Sequence, residues 1–431
     1  MIKNSIYPKV KLALLGGHSG LKAVFWLFTA AFFVSLFCSK ITLASILLLL
    51  TAIAVTRKYK VQVFKNPWKP LFISFGIFVL ISFASSFLLN EPVENSSGFG
   101  RVLIWAACLM SGFIFSRAFP DHDYKFLKPL LLILPLAFLI TLAVNASGLY
   151  TFNIFLEGQL IMFTATPSRI GIICVFILLY CLNLFIFSKH VVQRVRRAAL
   201  AFILLVMVYM TLSRTILFLT PLAVLFLTSA LPASCRRKDL LAFVGICLLL
   251  GAAVFALTTD KQQQRVTEVL ENPLEVRTVK SRMPLWEIGW ESFKEAPLFG
   301  HGVQSYKTLH KAYMAKHKEE LLEKYKFVEE SNWHPHNIIL GKLVDTGIAG
   351  TICFFIFYGL GFYYALRTAK PENRWPAAFL AFYFLVGMVD DSLARLNDSF
   401  VITLIGLAAA LPQSSARSGQ AQELEKIEQT L

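Results

Sequence analysis

The chain has 431 residues, of which 56% are hydrophobic and only 16% charged, and its mean hydropathy is +0.62. Soluble domains carry roughly 45–50% apolar residues, so this composition excludes an ordinary water-soluble enzyme. A formal net charge of +16 would point to nucleic acid in a soluble protein. Here the bases sit in short loops between apolar runs, which fits anchoring at a membrane face and no nucleic-acid partner.

The stretch from Met1 to Lys22 has no apolar core followed by a small-residue cleavage site, so the first apolar run is expected to be a retained helix. Apolar runs near the length of about 20 residues that crosses a bilayer then tile the chain. The predicted spans are 23–38, 41–56, 70–89, 101–117, 129–148, 168–188, 198–212, 215–232, 240–257, 337–366, 375–391 and 398–412. The tight joints around Ser39 and at Ser213–Arg214 predict helical hairpins.

Alternate loops differ in charge. One set holds Lys3, Lys9, Lys11 and Lys22, then Arg57, Lys58 and Lys60, then Arg117, Lys125 and Lys128. It continues with Lys189, Arg194, Arg196 and Arg197, then Arg236, Arg237 and Lys238, then Arg367, Lys370 and Arg374. The other set includes 91–100, with two acids and no base, and 151–167. The excess of Lys and Arg places the first set, and both termini, in the cytoplasm. The fold class expected is therefore an all-α polytopic membrane protein with about twelve transmembrane helices.

One loop, 258–335, is far longer than the rest and falls on the non-cytoplasmic side. It holds equal numbers of basic and acidic residues, and long loops translocate largely regardless of charge. Within it, 281–294 spaces Leu285, Ile288 and Phe293 as an amphipathic helix would. Residues 306–325, rich in Lys, Glu, Leu and Ala, predict an exposed helix, and Pro297–Gly302 (PLFGHG) is a turn signal. The expected organisation is nine helices in 1–257, the loop in 258–335, three helices in 336–412 and a polar tail in 413–431. The seven cysteines lie in or beside apolar runs without CxxC spacing, so neither a disulfide framework nor a cysteine metal site is expected.

Ionisable residues near a bilayer are functional candidates by default. On the predicted outer side these are Arg214 in the Ser213–Arg214–Thr215 joint, Arg282 at the start of the amphipathic stretch, His334 and His336 around Pro335, and Asp390, Asp391, Arg395 and Asp398 after a helix. Each also has a plain reading: a snorkelling arginine, a solvated helix face, loop histidines, an interfacial charge pair.

The pattern His336–Asn337, nine residues, then Gly347, Gly350 and Thr351 resembles the signature of the O-antigen ligase family, which is grouped with O-antigen polymerases and certain protein O-glycosyltransferases. The Ser213–Arg214–Thr215 joint looks like that family's outer-side arginine. Arg282 with Trp286, Trp290 and the PLFGHG stretch looks like the first half of its large loop. The resemblance covers roughly the C-terminal half and implies a glycosyltransferase-C-like membrane fold in the bacterial inner membrane, with its active site facing the periplasm.

The reaction implied is transfer of a glycan from undecaprenyl pyrophosphate, the lipid-linked O-antigen, to a sugar hydroxyl of lipid A–core in lipopolysaccharide biosynthesis, with inversion and without ATP. The resemblance assigns the leaving pyrophosphate to Arg214 and Arg282, with Arg169 as a third cation, because paired guanidinium hydrogen bonds suit phosphate oxygens. His336 is expected to be the general base, since histidine titrates at roughly 6.5 and is partly neutral near pH 7. A rival role is binding pyrophosphate as imidazolium. His334, Asn337, Trp286 and Asp390 complete the expected substrate-binding set. No cofactor and no metal are expected, and Asp390–Asp391 is the place in the sequence that runs against metal independence. The alternatives are an O-antigen polymerase with the same donor, or a transporter or flippase. A transporter usually shows two related halves, which this chain lacks.

Overall fold

A computed structural model describes residues 26–30, 32, 69–88, 96–119, 123–147, 155–156, 159–160, 167–211, 213–230, 238, 241, 245, 280–326, 334–368, 370–389 and 398–411. The predicted spans 41–56 and, for the most part, 23–38 and 240–257 lie outside these residues, as do the tail 413–431, Trp333, Asp390, Asp391 and Arg395.

The described chain is almost wholly helical. Helix α1 (Lys69–Phe83) runs on into a π-helical turn at Ala84–Leu88, and α2 is Ser96–Ala118. After a 3₁₀ turn come α3 (Leu130–Ala146) and a two-residue antiparallel pair, β1 (Phe155–Leu156) with β2 (Gln159–Leu160). Then follow α4 (Pro167–Ile186), α5 (Val191–Met210) and α6 (Arg214–Ala230). The long loop contributes α7 (Met283–Glu295) and α8 (Tyr306–Tyr325). The chain returns to the bundle with α9 (Ile338–Leu366), α10 (Trp375–Val389) and α11 (Asp398–Ala410). The short β pair is a local addition to the all-α expectation, inside the predicted outer loop 151–167.

Four helices among the described residues are long and apolar enough to cross a membrane: Lys69–Phe87, Gly100–Arg117, Pro167–Ile186 and Ile338–Leu366. This is a helical, multi-pass membrane architecture. The bundle centres on α4, whose residues from Arg169 onward are nearly all buried. A helix that is apolar all round must be enclosed by others, and α5, α6 and α10 surround it. Phe176 of α4 meets Trp375, Phe379 and Phe400 edge to face at ring separations of 5.2, 4.9 and 5.5 Å. Helix α5 begins earlier than its apolar run, at Val191, and its first turns leave Val191, Val192 and Val195 exposed.

Glycines set the closest helix approach. A side chain on Gly112 would strike the Thr403 carbonyl, and one on Gly406 would strike the Leu109 carbonyl, so α2 and α11 cross in backbone contact. Small residues permit that approach where lipid supplies no hydrophobic drive between helices.

The two ends of the bundle differ. At one end Asp123 accepts from Lys370 Nζ at 2.9 Å and from Asn373 Nδ2 at 3.1 Å, while Asn183 Nδ2 donates to the Glu372 carbonyl at 2.8 Å. Three loops of the predicted basic set, near 117–128, 183–197 and 367–374, therefore share this end. The starts of α4 and α9 and the end of α10 lie at the other. There Gly387 sits against Ile338, whose side chain would lie 3.3 Å from a Cβ placed on the glycine.

Candidate active site

Helices α4 and α6 begin side by side at this second end. Ser168 and Ser213 share a hydroxyl hydrogen bond of 3.3 Å, and Gly171 lets α4 lie against Ile216. Each serine is followed by a candidate arginine. Arg169 lies in the first turn of α4 and is only 9% exposed, and Arg214 opens α6. Two helix N-termini, each carrying partial positive charge, thus meet with an arginine apiece. Such a place suits an anion.

The loop helices build the second part. Arg282 occupies the N-cap position of α7 and is half-buried, with Trp286 one turn further on. The indole Nε1 of Trp286 is buried and makes no hydrogen bond among the described residues. Gly289 brings α7 onto Leu340 of α9, and the Tyr306 hydroxyl ties α8 to α7 by donating to the Leu285 carbonyl at 2.8 Å. Ile288, Phe293, Tyr306, Met314, Leu321 and Val344 form one apolar cluster, so α7 and α8 are seated on the start of α9. At its rim Glu287 accepts from Lys324 at 2.7 Å and from the Tyr325 hydroxyl.

His334, Pro335 and His336 lead into α9. His336 has a φ of 51°, a left-handed conformation that few non-glycine residues adopt and that clusters at functional sites. The turn aligns Asn337, whose Oδ1 accepts from the amides of Ile339 at 3.0 Å and Leu340 at 3.1 Å. Asn337 is thus the helix cap, and its oxygen is engaged by the backbone. Asp390, which follows α10 directly in the chain, lies outside the described residues.

The PLFGHG stretch is more than a turn. Helix α9 is broken at Gly347 (φ 63°, ψ −167°). The carbonyls of Val344 and Asp345 accept instead from the amides of His301 (2.8 Å) and Gly302 (2.9 Å). The amides of Ile348 and Ala349 donate to Pro297 (2.9 Å) and Leu298 (3.2 Å). The loop is spliced into the helix, and four backbone groups freed by the break are satisfied, as a buried site requires. Thr351, the last motif residue, donates its hydroxyl to the Gly347 carbonyl at 2.6 Å, while a Cβ on Gly350 would lie 3.2 Å from the Ile81 side chain of α1.

Sequence reasoning passed over a polar cluster beside this splice. Asp345 Oδ1 accepts from the Gln304 amide at 2.9 Å, and with its oxygen turned toward α2 the Gln304 carboxamide accepts from Arg101 Nε at 2.9 Å. Lys342 is 9% exposed, with its ammonium over the rings of Trp105 at 4.6 Å and Phe354 at 5.0 Å. The signal was present: Lys342 and Asp345 are charged residues three apart inside an apolar run. Among the described residues no three His, Cys, Asp or Glu side chains converge as a metal site would require.

The structure thus brings the helix starts that carry Arg169 and Arg214 together at the Ser168–Ser213 hydrogen bond, and it seats α7, which Arg282 precedes and which carries Trp286, on the start of α9. Two comparisons with known proteins bear on the chain. The chain is similar over 105 residues to the exopolysaccharide production protein ExoQ of Rhizobium meliloti (strain 1021), with 29% identity. The aligned part is 24% of this chain and 23% of that protein, about a quarter of each. A family model described as O-antigen ligase matches residues 199–355, from within α5 to the middle of α9, and so takes in Arg214, Arg282, Trp286, His334, His336 and Asn337. Residues 199–355 therefore carry the O-antigen ligase family resemblance that the motifs within them imply.

Proposed function

We propose that this protein is a glycosyltransferase of the inner membrane that moves a glycan from undecaprenyl pyrophosphate to a sugar hydroxyl of lipid A–core, as an O-antigen ligase. The observation that carries the reading is the meeting of the α4 and α6 N-termini at Ser168 and Ser213, each with an arginine following, inside a chain whose residues 199–355 match that family. On this reading loop 258–335 lies on the periplasmic side over the membrane helices of 1–257 and 336–412.

The chemistry follows from the residues. The acceptor O–H gives its proton to His336, its oxygen forms a bond to the anomeric carbon, and the bond from that carbon to the pyrophosphate oxygen breaks with its electron pair. The departing pyrophosphate gains charge, and Arg214, Arg169 and Arg282 hold it by charge-assisted hydrogen bonds. Trp286, with its buried indole N–H, and His334 line the acceptor side, and Asp390 is the further substrate-binding residue of this reading. Asn337 acts through the backbone turn that presents His336. The prenyl tail stays in lipid, and neither ATP nor a metal enters.

A second reading is an O-antigen polymerase with the same donor, favoured by the likeness to a protein of exopolysaccharide production. A transporter or flippase leaves the family match unexplained. The test is reconstitution of purified protein with undecaprenyl-pyrophosphate glycan and rough lipopolysaccharide, without ATP and with a chelator. The ligase reading expects glycan on lipid A–core with the wild type and a loss of about 10²–10⁴-fold with His336→Ala. Longer lipid-linked glycans in place of that product would make the protein a polymerase. Activity restored after chelation by one divalent ion would end the claim of metal independence.

A further inference from the structure

We propose that Leu298 and Phe299, at the tip of the loop spliced into α9, are seated in lipid and moor the α7–α8 layer to the membrane. The partner is the acyl-chain region of the leaflet at this end of the bundle. The inference does not depend on the transferase reading.

Helix α9 is longer than a bilayer requires. At 1.5 Å per residue its 29 residues run about 43 Å, against about 30 Å of hydrocarbon. Its far end is marked by the exposed Tyr363, with the Arg367 guanidinium 5.5 Å from the ring centre. An aromatic ring beside a basic residue is the composition of a membrane–water interface. Counting about 20 residues back from Leu366, the length of one span, reaches Gly347, where the helix breaks. An ordinary tilt of about 20° adds only one or two residues. Charge agrees with length: Lys342 and Asp345 precede the break, and no charged residue lies between it and Arg367. The break therefore marks where α9 enters hydrocarbon, and the loop supplies the backbone partners that non-helical chain at this depth requires.

Leu298 and Phe299 lie at that level. The Ala349 amide donates to the Leu298 carbonyl at 3.2 Å, and a Cβ on Gly347 would strike the backbone of both residues. Their backbones are held on the helix, yet their side chains are 63% and 42% exposed. Next along α9, Ile348, Ile352 and Ile356 are exposed and spaced four apart, so they form one stripe on a spanning helix. Lipid covers such a stripe in a membrane, and the loop tip continues it. Pro297–Gly302 carries no acid, lysine or arginine, and its one titratable side chain, His301, is tied to the Ser292 carbonyl at 2.7 Å. The exposed residues of α8, by contrast, are chiefly Lys and Glu, as a water-facing surface requires. The joint between α7 and α8 thus presents its apolar residues at the depth where hydrocarbon begins.

The test uses full-length protein in vesicles of phosphatidylethanolamine and phosphatidylglycerol, with photoreactive p-benzoylphenylalanine placed singly at Leu298, Phe299, Ile352 or Glu319. Lipid adducts, read as one added phospholipid mass on the intact protein, are expected from Leu298 and Phe299 as from Ile352, and not from Glu319 on the exposed face of α8. Adducts from the Ile352 position alone would overturn the proposal. So would a product of twice the protein mass from Leu298 or Phe299, which would make the tip a contact between copies of the chain. Mooring is read separately, by hydrogen exchange in nanodiscs of the same lipids. Leu298→Asn combined with Phe299→Asn is expected to lower protection in 283–325 by about tenfold. Leu298→Met combined with Phe299→Leu stays apolar and is expected to exchange like wild type, which separates loss of lipid contact from misfolding. Protection unchanged by the asparagine pair would show that the tip touches lipid without holding the layer, and the mooring would be wrong.

Discussion

Gly300 and Gly347 lie backbone against backbone, both in left-handed conformations, at φ 70° and 63°. A Cβ on Gly300 would come within 2.5 Å of the Thr346 amide nitrogen, and one on Gly347 would strike the Leu298 carbonyl. This contact lets the loop carrying His301 splice into α9, and it couples the Arg282 helix to the His336 helix. A left-handed L-residue costs about 1–2 kcal/mol before any clash is counted. Gly300→Ala and Gly347→Ala are therefore each expected to lower thermal stability in detergent and to reduce transfer at least as much as the loss of folded protein explains. Val303→Ala, close by but not in the splice, serves as the comparison. Wild-type melting for both glycine variants would show that the splice is not what holds the loop on the helix.

Asn337 separates capping from catalysis. Its side chain accepts two α9 amides, so Asn337→Ala should cost about 0.5–2 kcal/mol, whereas aspartate caps equally well. Asn337→Asp is expected to restore both melting temperature and transfer. If Asn337→Asp melts like wild type yet stays inactive, the side chain touches substrate and the capping account is incomplete.

Much of the bundle was legible because apolar runs obey a length rule. The predicted spans 70–89, 129–148, 168–188, 215–232 and 375–391 overlie α1, α3, α4, α6 and α10 closely, and 306–325 coincides with α8. Of the loop helices, α7 was readable from amphipathic spacing and α8 from a composition rich in Lys, Glu, Leu and Ala. The break in α9 was not, because Gly347 sits in an unbroken apolar run and its partner lies 47 positions earlier at Gly300, a pairing no local pattern reports. The two motif glycines differ: Gly350 packs toward α1, and Gly347 is where the helix breaks. Lys342 and Arg101 escaped notice for a related reason. Hydropathy averages absorb one charge in a long span, and only the fold shows that two such charges converge on Asp345.

The α2–α11 crossing predicts a size-dependent series. At Gly406 a Cβ would strike the Leu109 carbonyl and come within 2.9 Å of the Phe113 amide nitrogen, and neither backbone atom can move aside as a side chain would. Gly406→Ala should destabilise by about 1–3 kcal/mol, as overpacking does, and Gly406→Leu by more. Gly359, which has open space around it, is the control, and Gly359→Ala should melt like wild type. Equal melting of all three would mean that the helices do not cross at these glycines.

Acid should loosen the α7–α8 layer in two stages. His310 is fully buried beside Tyr306, and burial holds its pKa below the ordinary 6.5. Burial also pushes Glu287 upward, but hydrogen bonds from Lys324 and Tyr325 outweigh it and leave that carboxyl below its ordinary 4.5. Both folded pKa values are depressed, so the unfolded chain binds more protons on acidification. Each contribution is complete above the ordinary value and is lost as pH falls through the folded one. Protection against hydrogen exchange in 306–325, taken relative to the intrinsic rate at each pH, is thus expected to fall first below pH 6.5 and again below pH 4.5. His310→Leu should remove the first stage, and Glu287→Gln the second. Protection lost in one step, unchanged by either substitution, would place the acid sensitivity elsewhere than in the seating of this layer on α9.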